Sequence, residues 1–503
     1  MSDTRESVGP AAPAVRPDGR GMVIPGSTRG GDGGGAAPDD GGLGTASDGG
    51  GLGAAPGDDG LGSVPKAGRP GGSVRSRALP LDVPNEIGRL RRVCLHRPGA
   101  ELLNLVPSDL SRLLFDDIPF LEVAQAEHDR FAELLRREGV EVLYLERLVA
   151  EALEAVPGAR QEFTSQFLAE CGVHDRYALA AIRELLDGIA SPYDLVLKTM
   201  AGISKRELEL PLEGRGGALW GRPGAGATTL ASLVGEAAEP DTELIVDPMP
   251  NLYFTRDPFC VVGPGVCLNR MYQRTRRRET IYGRFLFACH PAYRQVPLWY
   301  DRDLTYHVEG GDVLVLGERA VAVGLSQRTE AAAIDTLAAR LIWDEACPVE
   351  EVWAFRIPES RAFMHLDTVL TQIDVDKFTV HPGVLGTLQV FRISRGAHEG
   401  ELAVEEVDVS LARVLARILG LDGVRLIRCG GGDPIAAARE QWNDGSNTLA
   451  IAPGRICVYQ RNTATNEALA RAGLELVVLP SSELSRGRGG PRCMSMPFVR
   501  DRL

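Results

Sequence analysis

The sequence has no CxxC pair, no His/Cys spacing typical of zinc sites and no apolar run long enough to cross a bilayer. An odd number of cysteines, mostly flanked by Val, Leu or Ile, argues against a disulfide framework and predicts reduced thiols in a core. The N-terminus also has no hydrophobic leader. We therefore expect a cytoplasmic protein. The nine cysteines are Cys94, Cys171, Cys260, Cys267, Cys289, Cys347, Cys429, Cys457 and Cys493.

Positive charge is in the minority, with 55 Lys and Arg against 68 Asp and Glu, a formal net charge of −13. Nucleic acids and anionic membranes would be repelled over most of such a surface, so the sequence predicts neither as a partner. The charge favours a cationic ligand only weakly, because acidic enzymes are common.

Residues 1–79 are almost devoid of aromatic and long aliphatic side chains and are rich in Gly, Asp, Ala and Pro. Such a segment cannot bury enough apolar surface to offset its ordering entropy, so we predict a disordered tail. Residues 80–503 carry the periodic patterns of a folded catalytic domain. Amphipathic helical patterns predict a helical insertion at about 108–205, and a Gly/Pro-rich segment follows at about 206–238.

Strand and helix patterns alternate through the rest of the chain. The segments 259–269 and 312–324 each read as two short strands around a Gly-containing turn, which is the pattern of a hairpin. Helix and strand patterns follow each hairpin. This ββαβ rhythm predicts an α/β fold of repeated small units rather than a doubly wound sheet.

Cys493 lies in a turn, after Gly489-Gly490-Pro491 and before Pro497. A thiol on such a turn, with arginines nearby, is a candidate nucleophile. His365 and Asp367 lie two residues apart in a β-favouring stretch. On a strand their side chains would share one face.

Three further acids lie beside glycine or proline. Glu309 and Asp312 flank Gly310-Gly311, where a bend or bulge would let a substrate approach the backbone, and Asp257 precedes Pro258. Two opposed carboxylates suit a guanidinium, whose planar fork accepts bidentate pairing on both edges. The set therefore favours a planar cation held for attack by sulfur.

The chain resembles arginine deiminase, a member of the guanidino-group-modifying superfamily, over about residues 81–503. The resemblance rests on the segments 249–258, 309–312 and 363–367 and on the Cys493 loop, in that order. It implies a fivefold pseudo-symmetric α/β propeller of ββαβ units with an inserted helical subdomain. It also implies hydrolysis of L-arginine to L-citrulline and ammonia without a metal or an organic cofactor.

Under this resemblance Cys493 attacks the guanidinium carbon and forms a covalent thiouronium, Asp257 and Asp367 hold the guanidinium nitrogens, and Glu309 and His365 transfer protons. It implies substrate contacts from Asn251, Phe254, Arg276, Arg328 and Asp312, and a gating role for Arg488. Arg277 and Arg278 are alternatives to Arg276, because the three are adjacent. The sequence is compatible with a homo-oligomer and does not give the oligomeric state.

The nearest alternatives share the scaffold: an agmatine deiminase, a dimethylarginine hydrolase or an amidinotransferase. A cysteine peptidase would also use Cys, His and Asp, but two anions fit a neutral amide poorly. A non-catalytic arginine-binding protein would bind arginine and release no ammonia.

Overall fold

The computed structural model describes residues 80–209, 243–358, 363–386 and 388–503. All of them belong to one unit, which runs from Arg75 to Leu503. The predicted disordered tail and all but the start of the predicted Gly/Pro-rich segment lie outside the described residues. No helix among the described residues is long and apolar enough to cross a membrane.

The strands are short, most of them three to six residues. They are β1 (Leu90–Leu95), β2 (Glu141–Tyr144), β3 (Ile203–Ser204), β4 (Leu244–Val246), β5 (Phe259–Val262), β6 (Gly265–Leu268), β7 (Leu298–Tyr300), β8 (Val313–Gly317), β9 (Ala320–Leu325), β10 (Glu351–Arg356), β11 (Leu370–Asp374), β12 (Lys377–Val380), β13 (Gln389–Arg395), β14 (Leu402–Glu406), β15 (Arg425–Arg428), β16 (Leu449–Ala452), β17 (Arg455–Tyr459), β18 (Glu475–Leu479) and β19 (Met496–Arg500).

The helices fall into a cluster before β3 and single helices between later strands. They are α1 (Ala100–Leu103), α2 (Leu121–Arg137), α3 (Leu145–Ala155), α4 (Ala159–Glu170), α5 (Arg176–Asp187), α6 (Pro192–Ala201), α7 (Lys205–Glu209), α8 (Thr280–Cys289), α9 (Ala331–Trp343), α10 (Leu366–Val369), α11 (Leu411–Leu419), α12 (Pro434–Trp442) and α13 (Thr463–Arg471).

Five sheets of the described chain repeat one pairing pattern. In each, a central strand pairs antiparallel with one neighbour and parallel with the other; the central strands are β1, β6, β9, β12 and β17. A parallel neighbour needs a crossover, and a helix supplies it each time: α2, α8, α9, α11 and α13. The predicted α/β class and its small ββαβ units are confirmed at this level. The β13–β14 hairpin extends one sheet to five strands.

Helix α2 ends as its sequence predicts. Gly139 adopts φ +82°, its N–H donates to the carbonyl of Arg136, and the N–H of Val140 donates to that of Leu135. These two bonds form a Schellman motif, which only a residue comfortable at positive φ can close. The chain then returns as β2 beside β1, so the first part of the predicted 108–205 insertion belongs to the first sheet. Helices α3–α6 occupy most of the remaining residues of that range.

The predicted hairpins at 259–269 and 312–324 are confirmed as β5–β6 and β8–β9. The predicted strand around His365 is wrong. Residues 366–369 form the single helical turn α10, and the strand begins only at Leu370. A hydrogen bond from a distant part of the chain outweighs the β-favouring composition here, because the backbone N–H of Leu366 donates to the Asp312 carboxylate at 2.8 Å.

Candidate active site

The chemistry-bearing residues come from equivalent places in four of the five sheets. Asp257 precedes β5, Glu309 precedes β8, His365 and Asp367 precede β11, and Cys493 precedes β19. Each of these strands is the antiparallel neighbour of a central strand. The repeated pairing pattern therefore explains how residues more than 230 positions apart come to share a site.

A cavity of about 430 Å³ joins most of the predicted residues. Cys493, His365 and Asp257 all line it, so the sulfur, the imidazole and one carboxylate face a common space. The predicted residues that also line it are Asn251, Phe254, Arg276, Arg328 and Arg488. Glu309 and Asp367 do not line it directly but contact His365 and Cys493.

Cys493 is 4% exposed, and its N–H donates to the side-chain oxygen of Asn447 at 3.1 Å. Its Sγ lies 3.6 Å from Oδ2 of Asp367. Burial, with the carboxylates of Asp367, Asp257 and Asp444, holds the pKa of this thiol well above its usual value, against a smaller opposing effect of an arginine. The resting sulfur is therefore a neutral thiol that donates toward Asp367.

His365 is buried between acids. Its Nε2 lies 2.7 Å from the Glu309 carboxylate, and its Nδ1 lies 3.9 Å from that of Asp257. Burial alone would lower the pKa of this imidazole, but the carboxylates of Asp257, Glu309 and Asp312 outweigh it and raise the pKa to about 9. At neutral pH the ring is an imidazolium, which can give a proton to a leaving amine.

Glu309 stays ionised although it is completely buried. Burial would raise its pKa, yet the cations of Arg328, His365 and Arg276 lower it to about 2. Its Oε1 accepts the N–H of Tyr272 at 2.9 Å. Glu309 is thus a fixed anion that orients and charges His365.

Two carboxylate oxygens beside the thiol and the imidazole are not satisfied. Asp257 accepts from Arg276 through Oδ2 at 2.8 Å, and Asp367 accepts from Arg492 through Oδ2 at 2.7 Å. The Oδ1 atom of each is buried and accepts no hydrogen bond from the described residues. A buried acceptor without a donor is costly, so both oxygens call for a ligand that donates.

Of the three adjacent arginines, Arg276 is the one that lines this cavity. Its guanidinium is shared between Asp257 and Glu279. Arg277 and Arg278 line a separate cavity instead. Arg328, which also lines the active-site cavity, is 5% exposed, and its Nη1 lies 3.7 Å from Glu309. Its Nε is buried without a hydrogen-bond partner in the described chain.

Asp312, a predicted substrate contact, does not line the cavity. Both its oxygens are used within the protein: Oδ1 accepts the N–H of Leu366 at 2.8 Å, and Oδ2 accepts from the hydroxyls of Ser326 and Thr329 at 2.7 Å each. These bonds fix the turn that carries His365 and the loop that carries Arg328. Its position favours a positioning role over a substrate contact.

The paired glycines serve contacts within the protein rather than an approach of substrate to the backbone. A Cβ on Gly310 would lie 2.0 Å from the carbonyl oxygen of Arg256, and one on Gly311 would lie 2.7 Å from the His365 ring. The bend itself is confirmed as a short 3-10 turn at Gly310–Asp312.

Arg488 lies at the other side of the cavity, with its guanidinium carbon 3.7 Å from the centre of the Trp442 ring and Nη1 3.5 Å from Asp116. Its φ of +63° is rare for a side-chain-bearing residue. Leu114, which lines the same cavity, has φ +64°. Such strained residues cluster at sites where function fixes the backbone.

Sequence reasoning missed Asn447, which holds the backbone of Cys493 and is completely buried. It also missed Glu279 as the partner of Arg276, and Glu86 as the partner of Arg492. Asn447 precedes β16, the antiparallel neighbour in the fifth sheet. The short polar run 444–448 before that strand was the signal that could have revealed it.

Asp257, Glu309 and His365 could in principle bind a metal ion, since each offers a ligand atom within 4.8 Å of the others. The charges around them disfavour one. The cations of Arg276 and Arg328 lie against two of these carboxylates, and His365 is protonated at neutral pH. A metal ion would have to displace the imidazole proton and compete with both guanidinium groups.

Comparisons with known proteins agree with this chemistry. A family model described as arginine deiminase matches residues 111–212 and 226–500. The arginine deiminase of Treponema denticola is 50% identical over 422 residues, covering 84% of this chain and 98% of that protein. That of Streptococcus sanguinis is 52% identical over 426 residues, covering 84% and 99%.

Among solved structures, SxtG, an amidinotransferase from Microseira wollei in the saxitoxin biosynthetic pathway, matches with a TM-score of 0.46 and 15% identity. The match covers 84% of this chain and 98% of that one. At such a score the likeness supports no statement about the chemistry of this chain.

Proposed function

The chain belongs to the arginine deiminase family and hydrolyses L-arginine to L-citrulline and ammonia, and we propose that Cys493 is the nucleophile of this reaction. The observation that carries the proposal is a cavity lined by Cys493, His365 and Asp257, with Asp367 in contact with the thiol. Asp257 and Asp367 each keep one buried Oδ1 that accepts no hydrogen bond from the described residues.

The guanidinium of arginine is the ligand that the two free Oδ1 atoms require. Asp257 and Asp367 each accept from its N–H groups, which orients the flat cation with its carbon toward the sulfur. The bound cation also brings positive charge beside a thiol that three carboxylates keep protonated. Binding of the substrate thereby favours the thiolate that attacks it.

As the cationic substrate binds, the Cys493 thiol loses its proton to solvent. Attack by the resulting thiolate forms an S–C bond and a tetrahedral centre. His365, an imidazolium at neutral pH, gives its proton to one terminal nitrogen, the C–N bond breaks and ammonia leaves. A covalent S-alkylthiouronium remains. The now neutral His365 takes a proton from water, and the resulting hydroxide adds to the same carbon. The C–S bond then breaks and the hydroxyl proton passes to the leaving sulfur, which yields citrulline and restores the Cys493 thiol.

The far end of the substrate carries an α-carboxylate and an α-amine. Arg328 offers a buried guanidinium whose Nε has no hydrogen-bond partner among the described residues, so it is the main candidate for the carboxylate. Arg276 and Asn251, which also line the cavity, support this end. Phe254 packs along the aliphatic chain. Arg488 closes the mouth from the Trp442 side.

The five sheets with one pairing pattern support a fivefold pseudo-symmetric propeller, with the active site where the segments before the antiparallel strands converge. The catalytic domain of this proposal is 80–503, with helices α3–α6 as its helical insertion. A cytoplasmic location and a homo-oligomer stay predictions.

The test is citrulline formation from arginine, agmatine and methylated arginine, with glycine added in a parallel reaction. We expect turnover of arginine, none of agmatine because it lacks the carboxylate that Arg328 binds, and no transfer to glycine. Cys493→Ser should abolish ammonia release and retain arginine binding. Arginine turnover by Cys493→Ser near the wild-type rate would overturn the assignment of the nucleophile.

A further inference from the structure

A second cavity, of about 1030 Å³, opens beside the active site and differs from it in charge. It shares Ser111, Leu114 and Gln273 with the active-site cavity. Six arginines and three carboxylate residues line it. An excess of positive charge in a concave site is unexpected in a chain with a formal net charge of −13.

The carboxylates of this cavity are already committed to other arginines. Glu170 pairs with Arg302 through two bonds, at 2.6 and 2.9 Å. Asp247 pairs with Arg112, and Asp303 pairs with Arg284 at 3.1 Å. The charge of the four remaining arginines is therefore uncompensated by acids within the cavity.

These four are Arg270, Arg274, Arg277 and Arg278, and no carboxylate of the described chain forms an ion pair with any of them. Arg270, Arg277 and Arg278 donate to backbone carbonyls, and Arg277 also contacts His307 at 3.1 Å. Burial and the charges of Arg270 and Arg274 lower the pKa of Arg277, as expected for crowded guanidinium groups.

Arg278 gives a second, independent sign that this cavity accepts a ligand. Its side chain is 6% exposed, and its Nη1 is buried without a hydrogen-bond partner among the described residues. The Nε of Arg270 is likewise buried and unpartnered. Guanidinium donors left unsatisfied beside a cavity are costly, and an anion with several acceptor oxygens would satisfy them.

We propose that this cavity is a binding site for a small phosphate anion, held by Arg270, Arg274, Arg277 and Arg278. Planar guanidinium forks match phosphate oxygens, and several of them together match a multiply charged anion better than a single carboxylate. The described lining includes no Phe, Tyr or Trp side chain, and its one aromatic ring is the imidazole of His174. The recognition is therefore of the phosphate group, whether free or carried by a nucleotide.

Isothermal titration calorimetry of the full chain in phosphate-free, low-salt buffer tests the proposal, with inorganic phosphate, pyrophosphate and ATP as probes. We expect saturable binding of at least one probe that weakens as sodium chloride is added. Equal affinity for pyrophosphate and ATP would identify the phosphate chain alone as the ligand. Tighter binding of ATP would identify a nucleotide as the source.

The double variant Arg274→Gln/Arg277→Gln should raise the Kd at least about tenfold, because the loss of even one charge-assisted hydrogen bond has an effect of that size. Arg471→Gln, at an arginine that is 68% exposed on α13, is the matched control and should leave the Kd unchanged. Thermal unfolding checks that the double variant is folded. If the double variant does not fold, the single variant Arg274→Glu takes its place, because Arg274 is exposed and its substitution disturbs no packed core.

Failure of all three probes to bind would overturn the proposal, and so would binding that the arginine variants do not weaken. The proposal would also be overturned if the cavity binds a second copy of this acidic chain and not phosphate. The chain would then associate as its concentration rises, and this association would prevent the probes from binding. None of these measurements uses arginine turnover, so the outcome is independent of the proposed nucleophile.

Discussion

Asp367 has two opposing effects on Cys493: it keeps the resting thiol protonated, and it holds the substrate that activates the same thiol. After burial, its carboxylate is the largest influence raising the thiol pKa. Asp367→Asn should therefore lower the pKa of the Cys493 thiol by about one unit or more. Alkylation of Cys493 in the free enzyme at pH 8 should then be about tenfold faster or more, because the thiolate is the reacting form. Turnover of arginine should fall by about 10²-fold or more, since one arm of the clamp is lost.

Mass spectrometry of the Cys493 peptide after timed iodoacetamide treatment measures this rate, and citrulline release measures turnover. Asp303→Asn, at an exposed aspartate paired with Arg284, is the control and should change neither. A purely structural role for Asp367 predicts that both rates fall together, which would contradict the account.

The protonation of His365 sets an upper pH limit for its contributions to stability and to catalysis. Its pKa in the folded protein is about 9, above the 6.5 of an unperturbed imidazole, so its contribution to stability is complete below pH 6.5 and is lost as the pH rises through about 9. Because the imidazolium protonates the leaving nitrogen, kcat/KM should decline through the same region. Glu309→Gln removes a neighbouring anion and should move this decline to lower pH.

The measurement is a pH profile of kcat/KM for the wild type and Glu309→Gln. Glu330→Gln is the matched control, because Glu330 also contacts a histidine, His307 at 2.9 Å, but outside the cavity. If the decline of kcat/KM at high pH occurs at the same pH in Glu309→Gln as in the wild type, whatever the absolute rate, then Glu309 does not set the pKa of a catalytic His365.

At the scale of elements, the turn before β8 fixes how closely His365 can lie to the backbone. A Cβ on Gly311 would lie 2.7 Å from Cγ and Nδ1 of that ring, closer than real contacts allow. Gly311→Ala should therefore displace the imidazole by a few tenths of an ångström or more and lower kcat by about 10²-fold.

Gly317, at the end of β8, provides the control. Nothing lies within 4 Å of a Cβ there, so Gly317→Ala should leave kcat and the melting temperature near the wild-type values. Both variants need steady-state kinetics and a thermal melt. If Gly311→Ala keeps the wild-type kcat, the His365 ring can move aside for the added methyl group without loss of function, which would contradict this account.

The segments before the strands also explain how much the sequence could predict. Asp257, Glu309, His365 and Cys493 were recognisable because each lies within two residues of Gly, Pro or an acid. The single helical turn at α10 was not, because the residues 363–370 favour a strand locally. A distant carboxylate, Asp312, decides their conformation through the N–H of Leu366. Local propensity carries no information about such a bond.

At the scale of the whole molecule, a buried charge cluster joins distant parts of the chain. The guanidinium of Arg492 is 1% exposed and binds Glu86, Asp367 and the carbonyl of Val313, at 2.7 to 3.1 Å. No sequence pattern pairs residue 86 with residue 492. The pairing follows from β1 and β19, which lie side by side and bring the start and the end of the described chain together.

Glu86→Gln tests how much this cluster stabilises the fold. Removing one partner of a buried ion pair typically costs about 3–5 kcal/mol, so the free energy of unfolding at pH 7 should fall by that order. Burial would raise the pKa of Glu86, but Arg492, Arg256 and Arg500 lower it to about 2, against 4.5 for a free glutamate. Its contribution is therefore complete above pH 4.5 and is lost as the pH falls toward 2.

Urea unfolding at several pH values below 7 measures the difference between the wild type and Glu86→Gln, which should narrow as the pH falls through that window. Glu350→Gln, where an exposed glutamate meets exposed Arg319, should change the free energy of unfolding by less than about 0.5 kcal/mol at every pH. An equally small effect in Glu86→Gln would mean that the strands alone join the two ends. The Arg492 cluster would then serve only to orient Asp367 beside the thiol.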